Sequence, residues 1–155
     1  MNKRYYLAYG SNLNVRQMRH RCPNARPVGT AVLQNYELLF KGSQSGSYLT
    51  VEPKEGSFVP LGVWEVDAID EKHLDQYEGF PTFYYKKELP IEFTGIVSGK
   101  KRSRLGFIYI MHEERKIGIP STFYMRTCME GYDNFGFNIQ PLIDAYNKSK
   151  KERML

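Results

Sequence analysis

The chain has 155 residues, 41% of them hydrophobic and 25% charged, with a formal net charge of +5. That length suits one domain with a substantial core and is short for two, so residues 1–155 read as a single globular domain. No apolar run approaches the ~20 residues of a membrane span, and the start MNKRYYLAYG lacks the long apolar segment of a secretory signal, so a cytoplasmic protein without membrane association is expected.

Residues 5–10 form a short aromatic and aliphatic run with the character of a buried strand, and 14–21 (NVRQMRHR) read as a short helix halted before Pro23. Three strand candidates follow, at 29–40, at 48–53 after a Gly/Ser turn, and at 59–66. The period then changes. Residues 67–79 carry acids in their first turn, a loose stripe of Ile69, Leu74 and Tyr77, and Gly79 at the expected stop, which predicts a helix. Residues 82–93 and 104–112 read as two strands joined by a basic turn. Helices are expected over 121–132, after Pro120, and over 138–151, where Ile139, Leu142, Ile143 and Tyr146 share one face. This order is neither regularly alternating nor all-β, and it points to an α+β fold with a mixed sheet and segregated helices.

Cys22 and Cys128 are too few for a disulfide framework, and neither they nor His20, His73 and His112 are spaced as metal ligands. Both thiols read as reduced and structural, and no metal or other cofactor is expected. The densest basic runs, 98–104 and the tail at about 147–155, read as a solvated turn and a fraying terminus. They lack the interleaved aromatics of a strand-binding face, so no nucleic-acid partner is expected.

Two features carry chemistry. In YYLAYGSNLN the first strand ends in Gly10, Ser11 and Asn12, just ahead of a helix. Small side chains at such a turn let backbone amides approach a carboxylate, a phosphate or a developing oxyanion, although Gly-Ser-Asn turns are also common in purely structural roles. The glycine patterns of nucleotide-binding loops are missing. Ser11 lacks a nucleophile elbow, and nothing selects His73 or His112 as its base. The second feature is Glu78, in LDQYEGFP. A carboxylate in the last turn of a helix opposes the macrodipole, and such breaks of a local stability rule are where function is expected, against the plainer reading of a solvated acid.

Taken together, YLAYGSNLN, MRHRCPNA, the run from Gly29 to Phe40, LDQYEGFPTFYYKK, FIYIM and the segment from Pro120 to Tyr132 resemble the gamma-glutamylcyclotransferase-like family, which includes plant avirulence-induced relatives and gamma-glutamylamine cyclotransferases. The resemblance runs from Tyr5 to about Tyr146. It implies a small mixed β-barrel or strongly curved mixed sheet flanked by helices, and an enzyme that cyclises a gamma-glutamyl group to 5-oxoproline and releases an amine or amino acid. It further implies that Tyr9, Gly10, Ser11 and Asn12 hold the glutamyl group, that Glu78 acts as acid and base, and that Tyr84, Tyr85 and Tyr124 fall in segments supplying pocket tyrosines.

The partner so implied is a small gamma-glutamyl molecule whose leaving group is met by the variable loops 41–47 and 112–120. Lys116 is one residue able to meet a second carboxylate there, against a simply solvated role. A monomer or homodimer is expected, with the aromatics of 134–138 exposed for a contact or capping the last helix. The competing reading keeps the fold and drops catalysis, leaving a small-molecule or partner-binding module.

Overall fold

The computed structural model describes residues 3–43 and 46–153. Five strands form a closed mixed barrel: β1 (Arg4–Ala8), β2 (Arg26–Ser43), β3 (Gly46–Val66), β4 (Tyr84–Gly95) and β5 (Lys101–Met111). Around the barrel the order is β3, β1, β5, β4, β2 and back to β3. Among the described residues only β1 and β5 run parallel, with Tyr5 opposite Gly106 and Tyr6 opposite Phe107. The ring closes where Gly29 and Thr30 of β2 meet Gly95 and Thr94 of β4. A short β6 (Lys116–Ile117) pairs with the far end of β2.

Four helices, α1 (Val15–Arg21), α2 (Ala68–Glu78), α3 (Thr122–Phe135) and α4 (Gln140–Arg153), complete the structure. Leu7, Leu61, Val63, Phe93 and Phe107 are fully buried in the core. Both faces of the wall are covered, since neighbouring residues that face opposite ways are buried together, as with Tyr6 and Leu7 on β1 and Phe107 and Ile108 on β5.

The α+β reading and the barrel implied by the resemblance both hold, while several boundaries differ. The strands expected at 48–53 and 59–66 are one strand of 21 residues. Its middle, Glu52 to Ser57, is polar and largely exposed and reads as a loop, yet Glu52 and Pro53 pair with β2 (Tyr36 opposite Pro53, Glu37 opposite Glu52) beyond the barrel wall. A register shift between Gln34 and Tyr36 absorbs Lys54 to Ser57, and Asn35, at φ 62°, accepts the Gly56 amide on its side-chain oxygen at 3.0 Å.

β5 begins earlier than its apolar pattern, because Lys101 to Arg104 continue the ladder to Thr94. The tail is helical to Arg153 rather than frayed, and Lys148 reaches Glu37 at 3.2 Å. Phe135 and Phe137 are partly buried rather than fully exposed. They stack on each other at 5.6 Å and pack on the core, with Phe135 edge-on to Trp64.

Candidate active site

The end of β1 and the end of α2 converge on one cavity. After Ala8 the chain leaves the sheet and turns through a single 3-10 turn, Ser11–Leu13, closed by the amides of Leu13 on Gly10 O and of Asn14 on Ser11 O, both at 3.0 Å. The amides of Gly10, Ser11 and Asn12 lead this turn and lie outside its internal bonding. Asn14 then caps α1 by accepting the Gln17 amide at 3.0 Å. The turn sits against α3 because residue 131 is glycine: a Cβ there would lie 2.7 Å from Asn14 N and from Leu13 Cβ.

α2 is set by its ends. Asp67 and Asp70 form a capping box, and Gly79, at φ 64°, takes the left-handed conformation that stops the helix. Buried Asp70 and Leu74 mark the inward stripe, and Glu78 is its next member at a spacing of four. The acid at the unfavourable helix end therefore points into the protein.

The cavity encloses about 450 Å³ and is lined by Glu78, by Gly10, Ser11 and Asn12, and by the rings of Tyr6, Tyr9, Tyr84, Tyr109 and Tyr124 among others. Several phenol oxygens are already engaged. Tyr9 donates to the Tyr109 carbonyl at 2.6 Å, Tyr84 donates to the Leu49 carbonyl at 2.7 Å, and the Tyr124 oxygen accepts the Leu49 amide at 3.1 Å. These tyrosines form a rigid wall with apolar faces toward the ligand space.

Asn12 connects the loop to the acid. Its amide nitrogen donates to Glu78 Oε1 at 3.2 Å and to the Tyr6 oxygen at 2.9 Å, while its carbonyl oxygen accepts from Arg21. Arg21 lies over the Tyr77 ring, 3.4 Å from its centroid, and the Tyr77 hydroxyl meets Ser11 Oγ at 3.0 Å. Burial raises the Glu78 carboxyl from its ordinary 4.5 to about 8, with the Arg21 charge opposing the rise. Burial, and then the Glu78 charge, also raise the phenols of Tyr6 and Tyr9 well above their usual range, so both remain protonated hydrogen-bonding groups.

Of the residues read from the sequence, Glu78, Tyr9, Gly10, Ser11, Asn12, Tyr84 and Tyr124 line this cavity. Tyr85 does not. As the strand neighbour of Tyr84 it faces the other way, lies tilted beside the His112 ring and donates to Glu113 Oε2 at 2.5 Å. Neither histidine considered for Ser11 contacts it: His73 meets the Arg21 carbonyl and His112 the Pro81 carbonyl. Both cysteines are free and buried, and no His/Cys/Asp/Glu cluster able to hold a metal occurs among the described residues.

Tyr6, Arg21, Tyr109 and Arg115 were missed. Tyr6 was open to detection, since it lies two residues before Ala8 on the same face of a wholly buried stretch of β1. Arg21, Tyr109 and Arg115 reach the site only through folding. Of the loop 41–47, residues 44 and 45 lie outside the described residues.

A small closed barrel with a tyrosine-walled cavity has room for a small molecule and sets a desolvated carboxylate beside it. The sequence matches the family model described as gamma-glutamyl cyclotransferase, AIG2-like, over residues 6–126, and the chain belongs to that family. A solved structure described as a gamma-glutamyl cyclotransferase is 25% identical, with a TM-score of 0.76 over 96% of this chain and 87% of its own.

A human protein described as uncharacterized is 24% identical, with a TM-score of 0.73 over 97% of this chain and 88% of its own. A yeast gamma-glutamyl cyclotransferase specific to glutathione shares the fold at 13% identity, with a TM-score of 0.65 over 96% and 97%. Among curated proteins none matches this sequence. No helix among the described residues is long and apolar enough to cross a membrane.

Proposed function

We propose that this protein is a gamma-glutamyl cyclotransferase in which Glu78 is the acid–base residue. The observation that carries this reading is one carboxylate, held near neutrality by burial, in the same cavity as the amides leading the Ser11–Leu13 turn. The substrate's α-ammonium, with a pKa near ~8, passes a proton to the Glu78 carboxylate and becomes a nucleophile. The freed amine attacks the δ-carbonyl of its own side chain, forming the C–N bond of a five-membered ring. Collapse of the tetrahedral intermediate breaks the original amide bond as Glu78 returns the proton to the leaving nitrogen. The ring nitrogen gives up its second proton as it becomes the lactam N–H and the leaving amine takes that proton up, so the products are 5-oxoproline and an amine or amino acid in its ammonium form, and no proton is left over.

Matched pKa values favour this shuttle, because an acid near 8 and an ammonium near ~8 exchange a proton with little free-energy change. Such transfer contributes ~10² to 10⁴ in rate, and an amide donor to the developing oxyanion a further ~10² to 10³. Either the substrate carboxylate or that oxyanion suits the amides of Gly10, Ser11 and Asn12. The tyrosine wall supports the folded glutamyl conformation that intramolecular attack requires.

The test is incubation with gamma-glutamyl amino acids, gamma-glutamyl-ε-lysine and glutathione, followed by mass spectrometry for 5-oxoproline. Its appearance with at least one substrate is expected. Binding of the panel without product would favour the non-catalytic reading.

A further inference from the structure

At the cavity edge away from the Gly10 loop lies a cation that the cyclisation chemistry leaves without a task. Arg115 directly precedes β6 and lines the cavity, whereas Lys116, the basic residue that stood out in the sequence, is exposed and pairs with Gly42. The Arg115 guanidinium lies 4.1 Å from the centre of the Phe83 ring, and its Nε is buried without a hydrogen-bond partner among the described residues. A buried donor left open carries a desolvation cost that a bound acceptor would remove.

The segment is held in place. The Arg115 amide bonds the His112 carbonyl at 3.3 Å, His112 Nε2 meets the Pro81 carbonyl at 2.8 Å, and Lys41 Nζ donates to the Glu113 carbonyl at 2.7 Å. The Glu113 carboxylate is occupied by the Tyr85 hydroxyl.

The aromatic wall orders the cavity. Gly10 adjoins Tyr124, Tyr124 meets Tyr48 at 5.1 Å between centroids, Tyr48 meets Phe83 at 6.1 Å, and Phe83 carries Arg115. Glu78 lies between these ends, since Asn12 of the loop donates to its carboxylate at 3.2 Å and the Phe83 amide bonds the carbonyl of Gly79, the residue after it, at 2.8 Å. With the glutamyl head on the loop and its scissile bond at Glu78, the departing amine extends toward Arg115.

We propose that Arg115 selects the leaving group by binding its carboxylate, so that the substrates are gamma-glutamyl-α-amino acids or short gamma-glutamyl peptides rather than gamma-glutamyl derivatives of plain amines. This rests on the cyclotransferase reading of the same site. A carboxylate two bonds from the scissile nitrogen suits the fork of a guanidinium pinned on an aromatic face.

The test compares gamma-glutamylalanine with gamma-glutamylalaninamide, which share the glutamyl head and differ in the charge of the leaving group, by 5-oxoproline release from wild type, Arg115→Gln and Arg115→Lys. A charge-assisted pair predicts a kcat/KM ratio of ~10 to 100 in favour of the acid for wild type. The ratio should fall to about one in Arg115→Gln and be intermediate in Arg115→Lys, which keeps the charge without the fork.

A wild-type ratio near one, or a ratio unchanged in Arg115→Gln, overturns the assignment. An equal loss on both substrates places Arg115 on the glutamyl head and also overturns it. No 5-oxoproline from either substrate, with product from gamma-glutamyl-ε-lysine, overturns this inference alone, whereas no product from any of the gamma-glutamyl panel removes the cyclotransferase reading and this inference with it.

Discussion

Replacing Glu78 by Gln should stabilise the protein, and increasingly so as pH rises. Burial lifts the carboxyl from 4.5 to about 8, so between those values the folded protein keeps a proton that the unfolded chain has released. The stability associated with the protonated acid is complete below 4.5 and is lost progressively up to about 8, above which folding must bury a charge. At ~1.36 kcal/mol per pH unit, the full window corresponds to a ceiling of ~5 kcal/mol. The side chain is half-buried in a cavity open to solvent, and between pH 5.5 and 8.5 a relative gain of ~2 to 3 kcal/mol is the expected share.

Glutamine keeps the shape and can still accept the Asn12 bond, but it does not titrate. Chemical denaturation of both proteins at the two pH values reads the difference, and all other titrating groups cancel. For a chain of this size it equals roughly 5 to 10 °C in melting temperature. A stability difference independent of pH would show that the carboxyl is not desolvated, and the basis for its matched pKa would be gone.

The pH dependence of kcat/KM should rise through an apparent pKa of about 8 as free Glu78 ionises, then fall as the substrate ammonium deprotonates; the corresponding limb in kcat should lie lower, because the bound ammonium favours the carboxylate. A kcat/KM limb near 4.5 would contradict the burial argument. Asn12→Ala removes the donor at 3.2 Å from Glu78 and the group that holds Arg21, so the kcat/KM limb should move to higher pH and activity at pH 7 should fall by ~10-fold, read from initial rates. Gly131→Ala forces a Cβ against Asn14 N and Leu13 Cβ, with an expected loss of ~1 to 3 kcal/mol in a denaturant titration and reduced activity from a displaced loop. Tyr85→Phe, altering a hydroxyl that bonds Glu113 outside the cavity, should leave kcat/KM within about 2-fold, whereas Tyr84→Phe frees the buried Leu49 carbonyl and should destabilise by ~1 kcal/mol or more.

The sequence carried the site's local signals and little of its convergence. Glu78 was legible because it occupies a helix end where a carboxylate is disfavoured, and the loop because an apolar strand breaks off into Gly-Ser-Asn. Which way Glu78 faces was not legible, since of the stripe read from the sequence Ile69 and Tyr77 are exposed and the inward face runs through Asp70, Leu74 and Glu78.

Tyr84 and Tyr85 were indistinguishable, since facing alternates along a strand and only the register of β4 on β5 decides which ring enters. Arg21 read as a cation at a helix end, a common arrangement, and its place between Asn12 and Tyr77 depends on how α1 packs against α2. The long β2–β3 hairpin was hidden for a different reason. Around the register shift the chain is exposed, the apolar alternation disappears, and the residues from Glu52 to Ser57 look like a loop although Glu52 and Pro53 are paired.

The most direct test of the central claim is a product balance on gamma-glutamylalanine, counting 5-oxoproline, alanine and free glutamate released by wild type and by Glu78→Gln. Glu78-assisted intramolecular attack predicts 5-oxoproline and alanine in equal amounts from wild type, no glutamate, and neither product from the variant. Glutamate with alanine would mean that water is the nucleophile, and 5-oxoproline from a folded Glu78→Gln would remove that carboxylate from the reaction.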